Sequence, residues 1–239
     1  MPLLPRPIAS LVEKQFLKQL ASTPRGRATL LAQVARSEGS DGETGVFDHI
    51  LASVDDEEVL KLVRLHQSDE ARHEQLFLAR CHAQGEAPLL TPKSTDLLVC
   101  LDKHTNFRSC PVNGRYGVYQ AYLLLQVLEE RALRQFQGMS AAFANAGDHE
   151  TVAVFTEVAA DEARHLKYCH AITKRYAPTE LARREGLAML RRLEVEVFAE
   201  TQRANFHVIV SAGLVDGAIW RFLLGKVEQR FGAPDLSAA

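Results

Sequence analysis

The chain has 239 residues, of which 46 % are hydrophobic and 24 % charged, and its formal net charge at pH 7 is −2. This composition is typical of a globular protein and excludes a disordered or fibrous chain. The small net charge does not favour a nucleic-acid partner. No stretch is long and apolar enough to span a bilayer and the first residues lack the pattern of a secretory signal, so we expect a cytoplasmic protein without a membrane partner.

Segments rich in Ala, Leu, Glu, Gln and Arg, with apolar residues three to four positions apart, predict an all-α protein. In chain order we expect a short helix at 8–21 and four long helices, A at 25–53, B at 56–84, C at 115–145 and D at 148–176. Two C-terminal helices follow at 179–211 and 216–231. The pair Asp55-Asp56 and Asp148 are suited to cap B and D, while Gly85 and Gly147 are suited to end B and C.

Residues 86–114 form the one long irregular connection, because they contain several prolines and a closing glycine. The stretch "TDLLVCLDKH" inside it is suited to one or two helical turns. A link of this length lets helices B and C run in the same direction, so we expect a four-helix bundle with a long crossover connection. We treat 1–239 as a single domain, in which 25–176 is the bundle and 179–231 is a helical extension.

One five-residue motif, Asp-Glu-Ala-Arg-His, occurs twice, in "SDEARHEQLF" and in "ADEARHLKYC". Each copy contains Glu-x-x-His, with Glu70 and His73 in helix B and Glu162 and His165 in helix D. On a helix, residues three positions apart lie on the same face, so each pair has the spacing of two metal ligands. The two copies predict that the halves of the chain face each other across a two-metal site.

Helix A offers one further ligand on its apolar side. The polar side of this helix carries Thr29, Gln33, Arg36 and Ser40. Glu38 lies on the opposite side with Leu31 and Val34, where an uncompensated carboxylate carries a large desolvation cost. We therefore predict that Glu38 is a metal ligand.

Helix C offers two adjacent glutamates, and helical periodicity distinguishes between them. Arg131, Arg134 and Gln135 indicate the water-facing side of this helix. Glu129 lies nearly opposite, whereas Glu130 lies at the flank, so periodicity favours Glu129 as the ligand. A strict repeat of the first half would select Glu130 instead, and the sequence leaves this alternative open.

This pattern of four glutamates and two histidines resembles the ligand pattern of the ferritin-like di-iron carboxylate superfamily, and the resemblance covers roughly residues 25–176. The residues that match the pattern are Glu38, Glu70, His73, Glu129, Glu162 and His165. Within this superfamily, Asp-Glu-x-Arg-His resembles the motif of the oxygen-activating branch. This branch includes acyl-carrier-protein desaturases, multicomponent monooxygenases and, with a looser resemblance, the ribonucleotide reductase small subunit. The resemblance implies two iron ions, or an iron–manganese pair, and dioxygen chemistry. Gly39, Gly42 and Gly45 depart from the family and disfavour a regular helix A.

Two aspartates of the repeated motif are expected to support the ligands, and one nearby histidine has two interpretations. Asp69 and Asp161 each precede a ligand glutamate, and each is suited to accept the second ring N–H of the histidine from the other half. His66 lies one turn before Glu70 on the same face. The sequence leaves open whether His66 is an additional ligand or an ordinary helix histidine whose hydrogen bonds are satisfied, and the matching position of the second half is Val158.

The function that we expect is that of a non-haem di-iron oxidoreductase, which activates dioxygen and oxidises a small organic substrate. The four cysteines lie far apart and form no Cys-x-x-Cys pair, and no flavin-type glycine motif is present, so an external electron donor is required. Two alternatives are an iron-handling or peroxide-scavenging protein similar to ferritins and rubrerythrins, and a bundle without catalytic turnover. The sequence leaves open whether the chain forms a homodimer.

Overall fold

The computed structural model describes residues 6–39, 44–106, 114–234 and 236, and within these residues the chain is all-helical. Its nine described α-helices are α1 Arg6–Ala21, α2 Pro24–Glu38, α3 Thr44–Leu51, α4 Glu57–His82, α5 Leu97–Thr105, α6 Gly114–Asn145, α7 His149–Tyr176, α8 Glu180–Ser211 and α9 Ala218–Phe231. A short 3₁₀ helix, Lys93–Thr95, precedes α5. The all-α prediction is therefore confirmed. Among the described helices, none combines the length and apolar character needed to cross a membrane.

The predicted helices B, C and D correspond to α4, α6 and α7, and the stretch "TDLLVCLDKH" contains α5. The prediction of one continuous helix A over 25–53 was wrong, because α2 ends at Glu38 and α3 begins at Thr44. Gly39 follows α2 in an extended conformation, and its N–H donates to the Ala35 carbonyl. A Cβ at this position would lie 2.3 Å from a carboxylate oxygen of Glu74, so a larger residue here requires the Glu74 side chain to move.

The predicted helix ends are confirmed by their hydrogen bonds. The Asp56 side chain accepts hydrogen bonds from the Glu58 and Val59 amides at the start of α4. Asp148 accepts one from the Thr151 amide at the start of α7. Gly85 and Gly147, which follow α4 and α6, have φ angles of 70° and 77°, a region that glycine occupies without strain.

The helices pack as two pairs, α2 against α4 and α6 against α7, and α4 contacts α7. The short helix α3 contacts both α4 and α6, while α1 and α8 pack along α6. The connection between α4 and α6 also contributes, because α5 packs against α8. The helices that carry the predicted ligands are thus joined in the order α2, α4, α7 and α6, and α1 and α8 pack on the outer side of α6.

Two apolar clusters fill the interior and a polar layer lies between them. The first cluster includes Val63 of α4, Leu125 of α6 and Ile172 of α7. The second includes Phe77, Phe136 and Phe155 of the same three helices. Along α4 and α7 the polar layer occupies positions 66–73 and 162–165, and along α6 it occupies position 129. The predicted ligands therefore lie at mid-height, enclosed above and below by apolar side chains.

The prediction that Arg131 and Gln135 face water was wrong. The Arg131 guanidinium donates to the buried Glu194 carboxylate of α8 at 2.5 Å and lies over the Phe198 ring at 3.9 Å. Arg134 is exposed, as predicted, whereas Gln135 is half-buried. Helix α8 covers this side of α6 with complementary polar and aromatic groups, which periodicity in α6 alone does not reveal.

Asp148 joins the start of α7 to the end of α4. It accepts hydrogen bonds from the Thr151 amide at 3.0 Å, from Arg80 at 3.0 Å and from Gln84 at 3.0 Å. Burial raises the pKa of Asp148, but the hydrogen bonds from Thr151 and Gln84 and the charge of Arg80 outweigh it, so the pKa lies below its ordinary value. Its stabilising contribution is therefore complete above the unfolded-state pKa of about 3.9 and is lost as the pH falls through the lowered folded-state pKa.

We predict that Asp148→Ala lowers the free energy of unfolding at pH 7 by about 1–2 kcal/mol, because the substitution removes an N-cap and two inter-helix contacts. The difference from the wild type should shrink as the pH is lowered below about 4. Urea unfolding followed by circular dichroism measures both effects. Asp55→Ala is the control, because this exposed aspartate is not the cap, and a change within about 0.5 kcal/mol is expected. Equal effects of the two substitutions would contradict the prediction.

Candidate metal centre

Two groups of buried side chains meet at mid-height between α2, α4, α6 and α7. The His73 group consists of Glu38, Glu70, His73 and Glu162. The His165 group consists of His66, Glu70, Glu129 and His165. Within each group, one possible ligand atom from every residue lies within 4.8 Å of the others. Glu70 belongs to both groups, so the two potential metal positions share this carboxylate.

In the His73 group, three carboxylates surround one ring nitrogen. The His73 Nδ1 atom lies 3.4 Å from Glu38 Oε2, 3.5 Å from Glu70 Oε2 and 3.2 Å from Glu162 Oε1. The His73 ring is fully buried, and the three glutamates are at most 7 % exposed. These carboxylates therefore face the imidazole in a space that is closed to bulk water.

In the His165 group, two imidazoles face the oxygens of two carboxylates. His165 Nδ1 lies 3.0 Å from Glu70 Oε1 and 3.8 Å from Glu129 Oε1. His66 Nε2 lies 3.3 Å from the same Glu70 oxygen and 2.7 Å from the same Glu129 oxygen. The two rings lie beside each other, with centroids 4.0 Å apart. Glu162 also reaches this group, because its Oε2 lies 3.0 Å from His165 Nδ1.

The spacing of these atoms fits that of ligands around metal ions. Two ligand atoms about 2.1 Å from one ion lie roughly 3.0 Å apart as octahedral neighbours and roughly 3.4 Å apart in tetrahedral geometry. The distances from 3.2 to 3.5 Å in the His73 group include the tetrahedral value, and those from 2.7 to 3.8 Å in the His165 group include both values.

Several of these atoms lack a hydrogen bond, which also favours a metal. His73 Nδ1, Glu70 Oε1 and Glu162 Oε1 are buried and have no hydrogen-bond partner among the described residues. A buried polar atom without a partner is costly, and coordination to a cation removes that cost. The two groups are therefore buried His/Glu clusters that could bind a metal.

The ionisable groups of this site shift the pKa values of one another. Burial raises the pKa of Glu70, but contacts with His165, His66 and His73 outweigh it and hold the pKa well below its ordinary value. Burial, together with repulsion from the neighbouring carboxylates, raises the pKa of Glu38 well above its ordinary value. Although burial lowers the pKa values of His73 and His165, the surrounding carboxylates raise them to about 12 and about 10. Protons thus supply the positive charge that a metal would replace.

Asp69 and Asp161 each lie against the histidine of the other half. Asp161 Oδ2 is 3.3 Å from His73 Nε2, and Asp69 Oδ2 is 3.2 Å from His165 Nε2. Arg164 donates to both aspartates, at 2.8 Å to Asp69 and 2.6 Å to Asp161, and Arg72 also donates to Asp161. Each histidine that donates from Nε2 keeps Nδ1 directed at the carboxylates, which is the arrangement that orients a metal-binding imidazole.

The structure brings together all of the residues that the sequence suggested as ligands. They are Glu38, Glu70, His73, Glu129, Glu162 and His165. Glu129 is buried within the His165 group, whereas Glu130 is directed outward and pairs with Arg191 at 2.5 Å. His66, for which the sequence left two interpretations, lies within the His165 group. The feature of the sequence that indicated a role for His66 is its position one turn before Glu70.

No family model, curated protein or solved structure matches the chain. The interpretation of the centre therefore rests on the geometry and chemistry of its own side chains.

We predict that Glu129→Ala lowers metal occupancy, because it removes an oxygen of the His165 group. Glu130→Ala should leave occupancy unchanged, since the substitution removes a pair with the half-exposed Arg191 and a 3.3 Å hydrogen bond from Gln126, and neither partner belongs to the two groups. The measurement is the number of Co²⁺ or Fe²⁺ ions retained per chain after desalting, with about two expected for the wild type. Loss of metal in the Glu130 variant alone would show that the strict repeat was the better guide.

Proposed function

We propose that the chain is a ferritin-like, non-haem di-iron oxidoreductase that activates dioxygen and oxidises a small organic substrate. In this proposal α2, α4, α6 and α7 are the four helices of the bundle, and the residues between α4 and α6 form its long crossover. The single observation that carries the proposal is the pair of buried carboxylate–histidine groups sharing Glu70. Shared carboxylates that hold two ions side by side are typical of four-helix di-metal proteins.

Each group supplies the residues for one metal position. Glu38, Glu70, His73 and Glu162 would hold one ion, and His165 and Glu129 would hold the second together with Glu70. Carboxylates are hard, anionic ligands that neutralise the positive charge of two ions, while imidazole suits iron. When bound, a pair of redox-active ions supplies electron transfer to dioxygen.

The chain's own side chains isolate and orient this centre. The apolar clusters above and below the polar layer limit access of bulk water. Asp69 and Asp161 fix the ring orientation of His165 and His73 through their hydrogen bonds. Arg164, which contacts both aspartates, links the supports of the two halves. A water-poor and oriented site suits oxidation chemistry, because competing reactions with water are suppressed.

A cavity beside the centre favours an organic substrate. Its volume is about 180 Å³, and α1, α2, α5, α6 and α8 contribute to its wall. Most of the buried part of this wall is apolar: Leu20, Leu30, Val34, Leu98, Leu128 and Phe136. Among the proposed ligands, Glu38 lines the cavity. A molecule in this cavity would therefore meet the centre at the Glu38 carboxylate.

The size of the cavity bounds the size of that molecule. An apolar protein cavity of about 150 Å³ holds one benzene molecule, so a cavity of similar volume suits a single ring or a short aliphatic chain. Arg36 pairs with Asp96 and Arg131 pairs with Glu194 near the wall, so these charges are compensated within the protein. We infer that the substrate is small and predominantly apolar.

The electrons for this reaction would come from a separate donor. The sequence contains no Cys-x-x-Cys pair, which would be needed for an attached rubredoxin-type iron centre. A partner reductase therefore completes the proposed system, and the proposal includes either a monomer or a homodimer as the working form.

We predict that the metal-free protein, supplied with excess Fe²⁺ in air and no electron donor, oxidises about two ferrous ions per chain and then stops. An organic-substrate oxidase needs re-reduction after each turnover, whereas an iron-storing protein continues and deposits mineral. The measurement is ferrous iron consumed per chain, with Glu70→Ala as the control because Glu70 belongs to both groups. Sustained oxidation with mineral formation would support the iron-handling alternative instead, and no oxidation would favour a bundle without turnover.

We predict that Ala132→Phe abolishes binding of a small aromatic probe such as toluene without changing metal content. Ala132 lines the cavity on α6, and a phenyl ring placed there would occupy a large part of about 180 Å³. Ligand-observed NMR measures toluene binding, and metal analysis provides the second readout. Ala144→Phe is the matched control, since Ala144 is an exposed residue of the same helix that does not line the cavity. Unchanged toluene binding in the Ala132 variant would place the apolar site elsewhere.

A further inference from the structure

The two halves of the centre are not equivalent, and the difference lies at one position. The separation along the chain that relates Glu70 to Glu162 and His73 to His165 also relates His66 to Val158. Both His66 and Val158 are fully buried. The first half thus directs an imidazole into the polar layer where the second half has an aliphatic side chain.

The position of His66 is that of a ligand atom. Its Nε2 lies 2.7 Å from Glu129 Oε1 and 3.3 Å from Glu70 Oε1, and these two oxygens also face His165 Nδ1. His66 Nε2 therefore lies beside the same two oxygens as the ring nitrogen of His165. The Phe47 ring packs against the His66 imidazole, with ring centroids 4.7 Å apart.

We propose that His66 is a third imidazole ligand of the centre, binding through Nε2, so that the His165 group forms a nitrogen-rich position and the His73 group an oxygen-rich one. This inference rests on the proposed two-metal centre. The nitrogen-rich position has two imidazoles with Glu70 and Glu129, and Glu162 within reach, whereas the oxygen-rich position has one imidazole and three carboxylates. The departure from a symmetric site is thus encoded by a single residue of α4.

Unequal ligands predict unequal metal preferences. Imidazole favours Fe²⁺, Co²⁺ and Zn²⁺, whereas carboxylate-rich sites suit harder ions such as Mn²⁺. The nitrogen-rich position should therefore fill first when Co²⁺ is added to the metal-free protein. The oxygen-rich position should fill second, and it is the position expected to accept Mn²⁺ in a mixed pair.

A purely hydrogen-bonding role for His66 is the alternative, because Nε2–H would donate to Glu129 at the observed distance. His66→Gln separates the two roles. The glutamine amide places an N–H donor near the former Nε2 position and so preserves a hydrogen bond to Glu129, but it has no ring nitrogen to offer a metal. If His66 is a ligand, the glutamine variant loses metal affinity. If His66 only donates a hydrogen bond, the glutamine variant retains its metal affinity.

The experiment uses the full-length, metal-free protein and Co²⁺ as the probe. Competition with a chelator gives the affinities of the two positions, and proton NMR of the Co²⁺-loaded protein counts the shifted, exchangeable N–H signals of coordinated imidazoles. We expect three such signals in the wild type with both positions filled and two in His66→Gln. The tighter of the two affinities should fall by at least about tenfold in that variant.

Val158→Ala is the matched control, because it alters buried packing at the equivalent position of the second half and removes no potential ligand atom. It should retain three imidazole signals and both affinities. Two signals in the wild type, or unchanged affinities in His66→Gln, would overturn the inference and leave the two-metal centre intact. Absence of Co²⁺ binding by the wild type would instead overturn the proposed centre, and this inference with it. The signal count in the wild type decides the question even if His66→Gln does not fold.

Discussion

The burial of four carboxylates at one height of the helices is the constraint on which the structure depends. Placing a single carboxylate in an apolar interior costs several kcal/mol unless a cation or hydrogen bonds compensate it. Here the carboxylates of both groups meet between two apolar clusters, with buried imidazoles as their nearest neighbours. Such a layer is tolerable only if positive charge resides within it, as protons on the imidazoles or as bound metal.

The polar contacts around the layer follow from the same requirement. Ring nitrogens directed at the carboxylates need a fixed orientation, and the hydrogen bonds to Asp69 and Asp161 supply it. Those aspartates are themselves acids near the interior, and Arg164 compensates both. Burial raises the pKa of Asp161, but its contacts with His73 and Arg164 outweigh this and lower it. The repeated motif Asp-Glu-Ala-Arg-His thus contains a proposed ligand pair together with its supporting charges.

The helices outside the proposed bundle determine what can approach the centre. Helix α8 is joined to α6 by the Arg131–Glu194 pair and to α2 by the hydrogen bond between Gln33 and Asn205. Together with α1, α2, α5 and α6 it lines the cavity that contains Glu38 in its wall. The C-terminal part of the chain therefore has a specific role in the proposed function, because it forms one wall of the small cavity beside the carboxylates.

The sequence by itself determined most of the helices, their caps and five of the six residues of the proposed ligand set, and it left the choice between Glu129 and Glu130 open. These features are local: hydrophobic periodicity, cap residues and Glu-x-x-His spacing act within one helix. Only the tertiary structure decided that Arg131 is covered by α8, that helix A ends at Glu38 and that His66 Nε2 faces Glu70 and Glu129. Periodicity identifies which side of a helix is polar, but it does not say whether water, another helix or a metal compensates that side, since the compensating group comes from a distant part of the chain.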